Sequence, residues 1–282
     1  MKKLFLLLAV LLYAESLFSQ GYLVIIGGGE RPDTIMNRFL ELAGGENANI
    51  LIIPNASAYK EEEGGLGIQI LRAKGAKNVS LIRFERETAS DDSVLAKLDG
   101  IDGIFFTGGD QSKLTGELLG TKLYDKIMEF YKKGGVIGGT SAGAAFMSKV
   151  MITGDELINK DSSYAFHTIM PGNIKTAEGF GFLDNCIIDQ HFVVRRRLNR
   201  LISAVLDNPQ LPGIGIDEST ALIVAPDMTF EVLGSRNVVI VNAAGATDIK
   251  VNHENLYGAQ NIKIDILVSG DRYDLKTGKV IK

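Results

Sequence analysis

A single cysteine, Cys186, is all the thiol this 282-residue chain carries. It excludes any intramolecular disulfide, even in an oxidising compartment. Its place in the apolar run Cys186-Ile187-Ile188 predicts a small buried side chain rather than a nucleophile. Histidine is nearly as scarce, with only His167, His191 and His253, so an imidazole base has to be one of these three. No spaced set of His, Cys and carboxylates suggests a metal centre, and no metal or other cofactor is expected. Positive charge is short as well. Thirty Lys and Arg against 34 Asp and Glu leave a net charge of -4, which supplies no overall field to attract nucleic acid. The sequence has no internal repeat, heptad run or low-complexity segment. The apolar stretch Leu4 to Ala14 falls short of the roughly 20 residues a membrane helix needs. Preceded by Lys2-Lys3, it reads instead as a cleaved signal peptide over residues 1–19, with a mature start at Gln20 or, alternatively, cleavage after Ala14. No cysteine stands there to carry a lipid anchor. The expected product is secreted or periplasmic, with no stable membrane span.

What is present fills a large core, since 45% of residues are hydrophobic and 23% charged. Apolar strands at Tyr22–Ile26, Asn49–Ile53, Val79–Ile82, Gly103–Phe106, Val136–Ile137, Cys186–Ile188 and Gly213–Ile216 alternate with helical patterns. The helices fall near Pro32–Leu42, Leu66–Lys74, Ser93–Leu98, Leu114–Lys132, Ala142–Lys149 and Arg196–Leu206. This alternation predicts an α/β fold with a mostly parallel sheet and helices on both faces, as one catalytic domain over residues 20–225. Beyond Ala221 the pattern shifts to short strands, Ala221–Ala225, Thr229–Leu233, Val238–Asn242 and Lys263–Val268, so residues 226–282 are expected to form a small β extension on the same domain. The glycine run Gly27-Gly28-Gly29 lacks the G-x-G-x-x-G spacing of a dinucleotide site and reads as a structural turn.

The most informative stretch is Gly138-Gly139-Thr140-Ser141-Ala142-Gly143-Ala144, directly after the apolar pair Val136-Ile137. Gly139-x-Ser141-x-Gly143 has the spacing of a nucleophile elbow, in which a sharp strand-to-helix turn lifts a serine out of the sheet. The helix beginning near Ala142 would aim free backbone N–H groups at an oxyanion. Of the histidines, His191 follows the apolar Ile187-Ile188 and so falls at a strand end, where open α/β sheets place their sites, whereas His167 and His253 lie in polar, turn-like stretches. An acid should orient the imidazole. Glu218, at the end of Gly213-Ile214-Gly215-Ile216, is the best placed, while Asp155, Glu156 and Glu178 are not excluded by spacing. Arg195, Arg196, Arg197 and Arg200 begin four residues after His191, a position that suits recognition of a carboxylate by a guanidinium fork more than a solvated face. For Arg195, Arg197 and Arg200 to line one pocket, the helix there has to begin after Arg195.

Four motifs in order resemble those of the cyanophycinases, which belong to a serine peptidase family that also holds dipeptidase E. They are Phe105-Phe106-Thr107-Gly108-Gly109-Asp110-Gln111, Gly139-Thr140-Ser141-Ala142-Gly143-Ala144, Asp189-Gln190-His191-Phe192 with its arginines, and Gly215-Ile216-Asp217-Glu218. The similarity runs from Leu23 to about Ala225. It implies a flavodoxin-like, class I glutamine-amidotransferase-like fold with Ser141 as nucleophile, His191 as base and Glu218 as its orienting acid. It further implies an oxyanion hole from Gly109 and Ala142, and a substrate pocket of Gln111, Asp189, Gln190, Arg195, Arg197 and Arg200. Val193-Val194 and Arg196 depart from the family pattern. The implied activity is hydrolysis of multi-L-arginyl-poly-L-aspartate to β-Asp-Arg dipeptides through an acyl-enzyme. The alternatives are a dipeptidase E-like enzyme acting on aspartyl peptides and a secreted ligand-binding protein without catalysis. A homodimer is left open.

Overall fold

The computed structural model describes residues 20–158 and 166–282. The proposed signal peptide, residues 1–19, lies outside the described residues. Short runs of Leu, Val, Ile and Phe build β1 (Leu23–Ile26), β2 (Asn49–Ile53), β3 (Asn78–Leu81), β4 (Gly103–Phe106) and β5 (Val136–Thr140). These five are parallel neighbours in the order β1-β5-β4-β2-β3. Between them run α1 (Asp33–Leu42), α2 (Lys60–Ala73), α3 (Asp92–Leu95), α4 (Gln111–Leu118) and α5 (Lys122–Lys132). Successive strand residues point to opposite faces. Val24, Ile26, Ile50, Ile52 and Phe105 pack with Phe39 of α1 and Leu71 of α2, while Leu23, Ile25, Leu51, Ile53 and Phe106 pack with Leu114 of α4 and Ile127 of α5. Burial on both faces explains why β1, β4 and most of β2 read as continuous apolar runs, while β3 at the sheet's edge does not.

The helices differ in detail from the expected spans. The pattern over Leu114–Lys132 is two helices, because Gly120 takes φ +76° and the Thr121 hydroxyl accepts from Tyr124 N at 3.2 Å, capping α5. The helix after Ser141 stops at once: α6 spans only Ala142–Ala145, and Lys149 N donates to Leu183 O at 2.7 Å as the chain turns away. The chain then forms β6 (Val150–Glu156) and β7 (Ile174–Glu178), an antiparallel pair. Next come β8 (Ile187–Gln190), α7 (Leu198–Asp207), β9 (Gly213–Ile216) and β10 (Thr220–Val224).

Strands β8 and β9 do not join the large sheet. They pair in parallel with each other, and β9 carries β12 (Val238–Asn242) and β15 (Lys263–Leu267) in a second, four-stranded sheet. The large sheet continues from β1 instead through the antiparallel β10, β11 (Thr229–Gly234), β16 (Arg272–Asp274) and β17 (Lys279–Ile281), reaching nine strands. A hairpin of β13 (Thr247–Val251) with β14 (Tyr257–Gln260) stands apart. Residues after Ala225 are thus shared between both sheets. Among the described residues, no helix is long and apolar enough to cross a membrane.

Beneath α6 lies an aromatic cluster. The Phe146 ring is 4.6 Å from Phe106 and 4.6 Å from Phe180, with Phe182 at 6.1 Å. Phe146 is fully buried at the end of the short helix, so its removal leaves a cavity that rigid strands on either side cannot fill. Phe146→Ala is expected to cost about 3–5 kcal/mol in urea unfolding. A loss below about 1 kcal/mol would mean that the site collapses freely.

Candidate active site

The elbow is built by close approach. At Gly139 an added Cβ would sit 1.9 Å from the Gly143 carbonyl oxygen, and at Gly143 it would sit 2.5 Å from that of Phe106, so neither position admits a side chain. The pinned turn leaves Ser141 at φ 55°, ψ -110°, a conformation a non-glycine residue holds only when its surroundings impose it. His191 at φ 48° and Ser219 at φ 54° share that strain, and both flank the same point in space.

At that point a chain of hydrogen bonds closes. The Ser141 Oγ is 2.8 Å from His191 Nε2, and His191 Nδ1 is 2.6 Å from Glu218 Oε1. An ionised carboxylate only accepts, so the Nδ1 proton goes to Glu218, which leaves Nε2 free to accept from the serine hydroxyl. The other carboxylates are engaged or remote: Asp155 pairs with Lys175 at 3.2 Å, Glu156 accepts from Asn173 Nδ2 at 2.7 Å, and Glu178 lies exposed on β7. His167 is exposed, and His253 sits in an exposed turn. Burial lowers the His191 pKa below 6.5, opposed by its hydrogen bond to Glu218 and reinforced by the positive charge of Arg195. The imidazole is therefore a neutral acceptor at neutral pH.

Two elements that sequence reasoning passed over hold the imidazole. The Gly27-Gly28-Gly29 turn, read from sequence as merely structural, lies directly against it: a Cβ at Gly28 would be 2.3 Å from His191 Cε1, and one at Gly29 would be 2.8 Å from Glu218 Cβ. Gly27 O also accepts from His191 N at 2.7 Å. Asp217, buried beside Glu218, accepts from Val193 N at 3.1 Å and Val194 N at 3.0 Å and so fixes the turn that carries His191. The signal for both was the glycine run at one strand end and an acidic pair at another. Only their proximity reveals the role.

The remaining expected residues divide. Gly108 is the glycine whose Cα faces the serine, with an added Cβ 3.4 Å from Ser141 Cβ, while Gly109, at φ +141°, is pressed against Ala56 O. Ala142 is the first residue of α6, where an N–H has no partner within the helix. Gln111 is buried and donates from Nε2 to Ile152 O at 2.9 Å and Thr153 O at 2.6 Å, clamping α4 to β6. Arg195, Arg197 and Arg200 do not share one open surface. Helix α7 begins at Leu198, after all of the first three arginines, and Arg195 and Arg196 are exposed in the turn before it. Arg200 is 1% exposed and uses both arms of its fork on Asp189, itself 1% exposed, donating from Nε at 2.7 Å and also from Nη2. Its guanidinium also lies over the Phe166 ring, 4.8 Å from the centroid. Between these extremes Arg197 donates from Nη1 to Gln190 O at 2.6 Å and Gln190 Oε1 at 2.9 Å, and burial beside Arg200 pushes its pKa down to about 10. Arg200 and Asp189 thus meet each other's charge, and Arg195 is the exposed arginine whose positive charge acts on His191.

Two outcomes follow from this placement. Arg200→Ala would strand the buried Asp189 carboxylate and cost about 3–5 kcal/mol of stability, whereas the exposed Arg196→Ala should stay within about 0.5 kcal/mol. Guanidinium unfolding of both variants checks the contrast, and equal small losses would contradict the buried pair. For His191, a lowered pKa keeps the neutral imidazole available to lower pH, so the midpoint of its titration lies below 6.5. Arg195→Gln removes a cation that disfavours the imidazolium, so the midpoint should rise toward 6.5. NMR titration of the His191 ring protons reads this directly. A midpoint unmoved or lowered by the substitution would rule out the Arg195 contribution.

A family model described as Peptidase family S51 matches residues 23–232. The chain is 36% identical over 262 residues to a cyanophycinase of Geminocystis herdmanii, covering 90% of this chain and 93% of that one. It is also 36% identical over 263 residues to a cyanophycinase of Trichormus variabilis, covering 89% and 85%. Among solved structures, a peptidase from an acI-B1 Actinobacterium superposes with a TM-score of 0.63 at 23% identity, covering 90% of this chain and 97% of that one. A peptidase E protein from Listeria monocytogenes EGD-e, titled putative, superposes with a TM-score of 0.52 at 20% identity, covering 77% and 98%. These two structures share the mixed α/β fold. The chain belongs to peptidase family S51 and is a serine-type peptidase of the cyanophycinase-like kind.

Proposed function

We propose that this peptidase hydrolyses cyanophycin, multi-L-arginyl-poly-L-aspartate, to β-Asp-Arg dipeptides through an acyl-enzyme on Ser141. The observation that carries the reading is the hydrogen-bonded run from Ser141 Oγ through the His191 imidazole to Glu218. His191 Nε2 takes the serine proton as Oγ attacks the scissile carbonyl carbon, and the imidazolium that forms is stabilised by the Glu218 carboxylate. The backbone N–H groups of Gly109 and Ala142 receive the developing oxyanion. The imidazolium then gives its proton to the leaving amine, and water attacks the acyl-enzyme by the same relay in reverse. Arg195 offers its fork to the free carboxylate of a repeat. Gln190 and Arg197, tied to each other, and Gln111, tied to β6, shape the walls, and the Asp189–Arg200 pair holds that wall from behind.

Cyanophycin as the substrate is favoured by the two relatives named cyanophycinase and by the cationic turn directly after His191. The Lys2-Lys3 start and the apolar run behind it support export. An exported enzyme acts on polymer released by other cells rather than on an internal store.

The decisive experiment incubates the mature protein with purified cyanophycin and, separately, with plain poly-aspartate and short aspartyl peptides, and identifies products by mass spectrometry. β-Asp-Arg dipeptides from cyanophycin alone support the reading, while cleavage of only the short aspartyl peptides would replace it by a dipeptidase E-like activity. Ser141→Ala is expected to lower turnover by roughly 10⁴-fold or more with the fold intact, and to abolish labelling by a fluorophosphonate. Retained activity in that variant would overturn the serine mechanism.

A further inference from the structure

The loop that leaves β2 carries the most exposed large apolar side chain among the described residues, Tyr59 at 70%. It stands at the lip of a groove of about 680 Å³ whose charged walls are Lys60, Arg83 and Lys113 against Glu61, Glu62 and Glu85. Three cations face three carboxylates, so the groove presents both signs and no net charge. The loop that carries Tyr59 packs against the turn after β4 and the start of α4. Ala56 of the same loop accepts from Asp110 N at 2.8 Å and is pressed against Gly109, and Lys113 Nζ donates to Ser57 O at 3.2 Å. From Ala56 to Tyr59 is three residues, a span of at most about 11 Å, which an extended substrate crosses in about as many residues of its own.

We propose that this groove is an accessory binding site for the part of the polymer outside the catalytic pocket, and that it selects a chain bearing a guanidinium and a carboxylate on every repeat. The proposal rests on the cyanophycin reading. Within the groove the charges are of two kinds. Lys60 is half-buried, donating to Phe84 O at 3.0 Å and Glu85 at 2.8 Å and reaching Glu117 at 3.3 Å, and so serves as structure. The Arg83–Glu61 pair at the rim is exposed on both sides, and an exposed pair of this kind is held weakly. A zwitterionic repeat can exchange with it at little cost, setting its guanidinium against Glu61 or Glu62 and its carboxylate against Arg83. A polyanion or a polycation meets repulsion from one half of the groove. The Tyr59 ring offers a face on which a guanidinium can stack.

The test measures the Kd of purified cyanophycin for the inactive Ser141→Ala protein and for the same protein carrying Tyr59→Ala, Tyr59→Phe or the pair Glu61→Lys and Glu62→Lys, alongside turnover by the wild type. Thermal melts confirm that each variant is folded. Tyr59→Ala should weaken binding about three- to tenfold and the double lysine variant at least as much, while Tyr59→Phe, which keeps the ring, should bind like the parent. Plain poly-aspartate should bind without dependence on Tyr59. If the wild type degrades cyanophycin but all variants bind it equally, the groove is overturned and the activity stands. If the wild type does not degrade cyanophycin but binding depends on Tyr59, the assigned activity fails and the ligand class survives. With neither turnover nor binding, both fail.

Discussion

Everything at the site depends on how the two sheets are joined. His191 closes β8 of the smaller sheet and Ser141 closes β5 of the larger, so their 2.8 Å contact spans the boundary between them. The seam is backbone: Gly27 O accepts from His191 N at 2.7 Å, and Gly28 O accepts from Ser219 N at 2.9 Å. One turn after β1 therefore fixes the histidine and the residue following Glu218 to the sheet that carries the serine. Backbone bonds hold positions more tightly than long side chains do, because few torsions lie between them and the fold. Glycine is required there because the imidazole ring occupies the space a Cβ at Gly28 would take, the Asp217 carbonyl oxygen that of one at Gly27, and the Glu218 side chain that of one at Gly29.

Burial, more than charge, decides what the four arginines do. An Arg with both arms on a buried carboxylate, such as Arg200 on Asp189, has its desolvation offset by a partner and contributes geometry to the wall behind Gln190. Arg197, partly buried beside that pair, donates to the strand carrying Gln190 rather than outward. Only earlier in the turn, at Arg195, is a guanidinium both exposed and placed to act on the proton affinity of His191. A linear run of like charge thus resolves into a buried brace, a half-buried strap and an open cation, arranged by depth.

The parallel strands were legible in the sequence because strands buried on both faces must be apolar throughout, as β1 and β4 are, and β2 after its exposed first residue Asn49. The site's strand ends were legible for the same reason: Ser141, His191 and Glu218 each follow such a run. Strand partnership was not, since β8 and β9 have the same apolar signature as strands of the main sheet and pairing is a non-local choice. Helix ends failed where a single residue decides them, as at Gly120 and Thr121, or where tertiary bonds cut a helix short, as Leu183 does after Ala145. Spacing left Glu218 and three other carboxylates open; distance to His191 Nδ1 separates them. The Gly27–Gly29 turn was visible yet unreadable, because what its glycines make room for lies more than 160 residues away in the chain.

Strain ties these observations together. Ser141, His191 and Ser219 all hold positive φ, each at a cost of order 1–3 kcal/mol, and such a cost persists only where neighbours over-determine the conformation. The neighbours are identifiable. Below Ser141 they are the Gly139 and Gly143 contacts and the Phe146 cluster under α6. At His191 they are Asp217, capping the following turn, and Phe192, whose ring fills the space a side chain at Gly215 would need. At Ser219 it is the bond to Gly28 O. Each strained residue is thus held by contacts from an element other than its own. The serine, the imidazole and the carboxylate cannot relax separately, and the geometry that a proton relay needs is set before any ligand arrives.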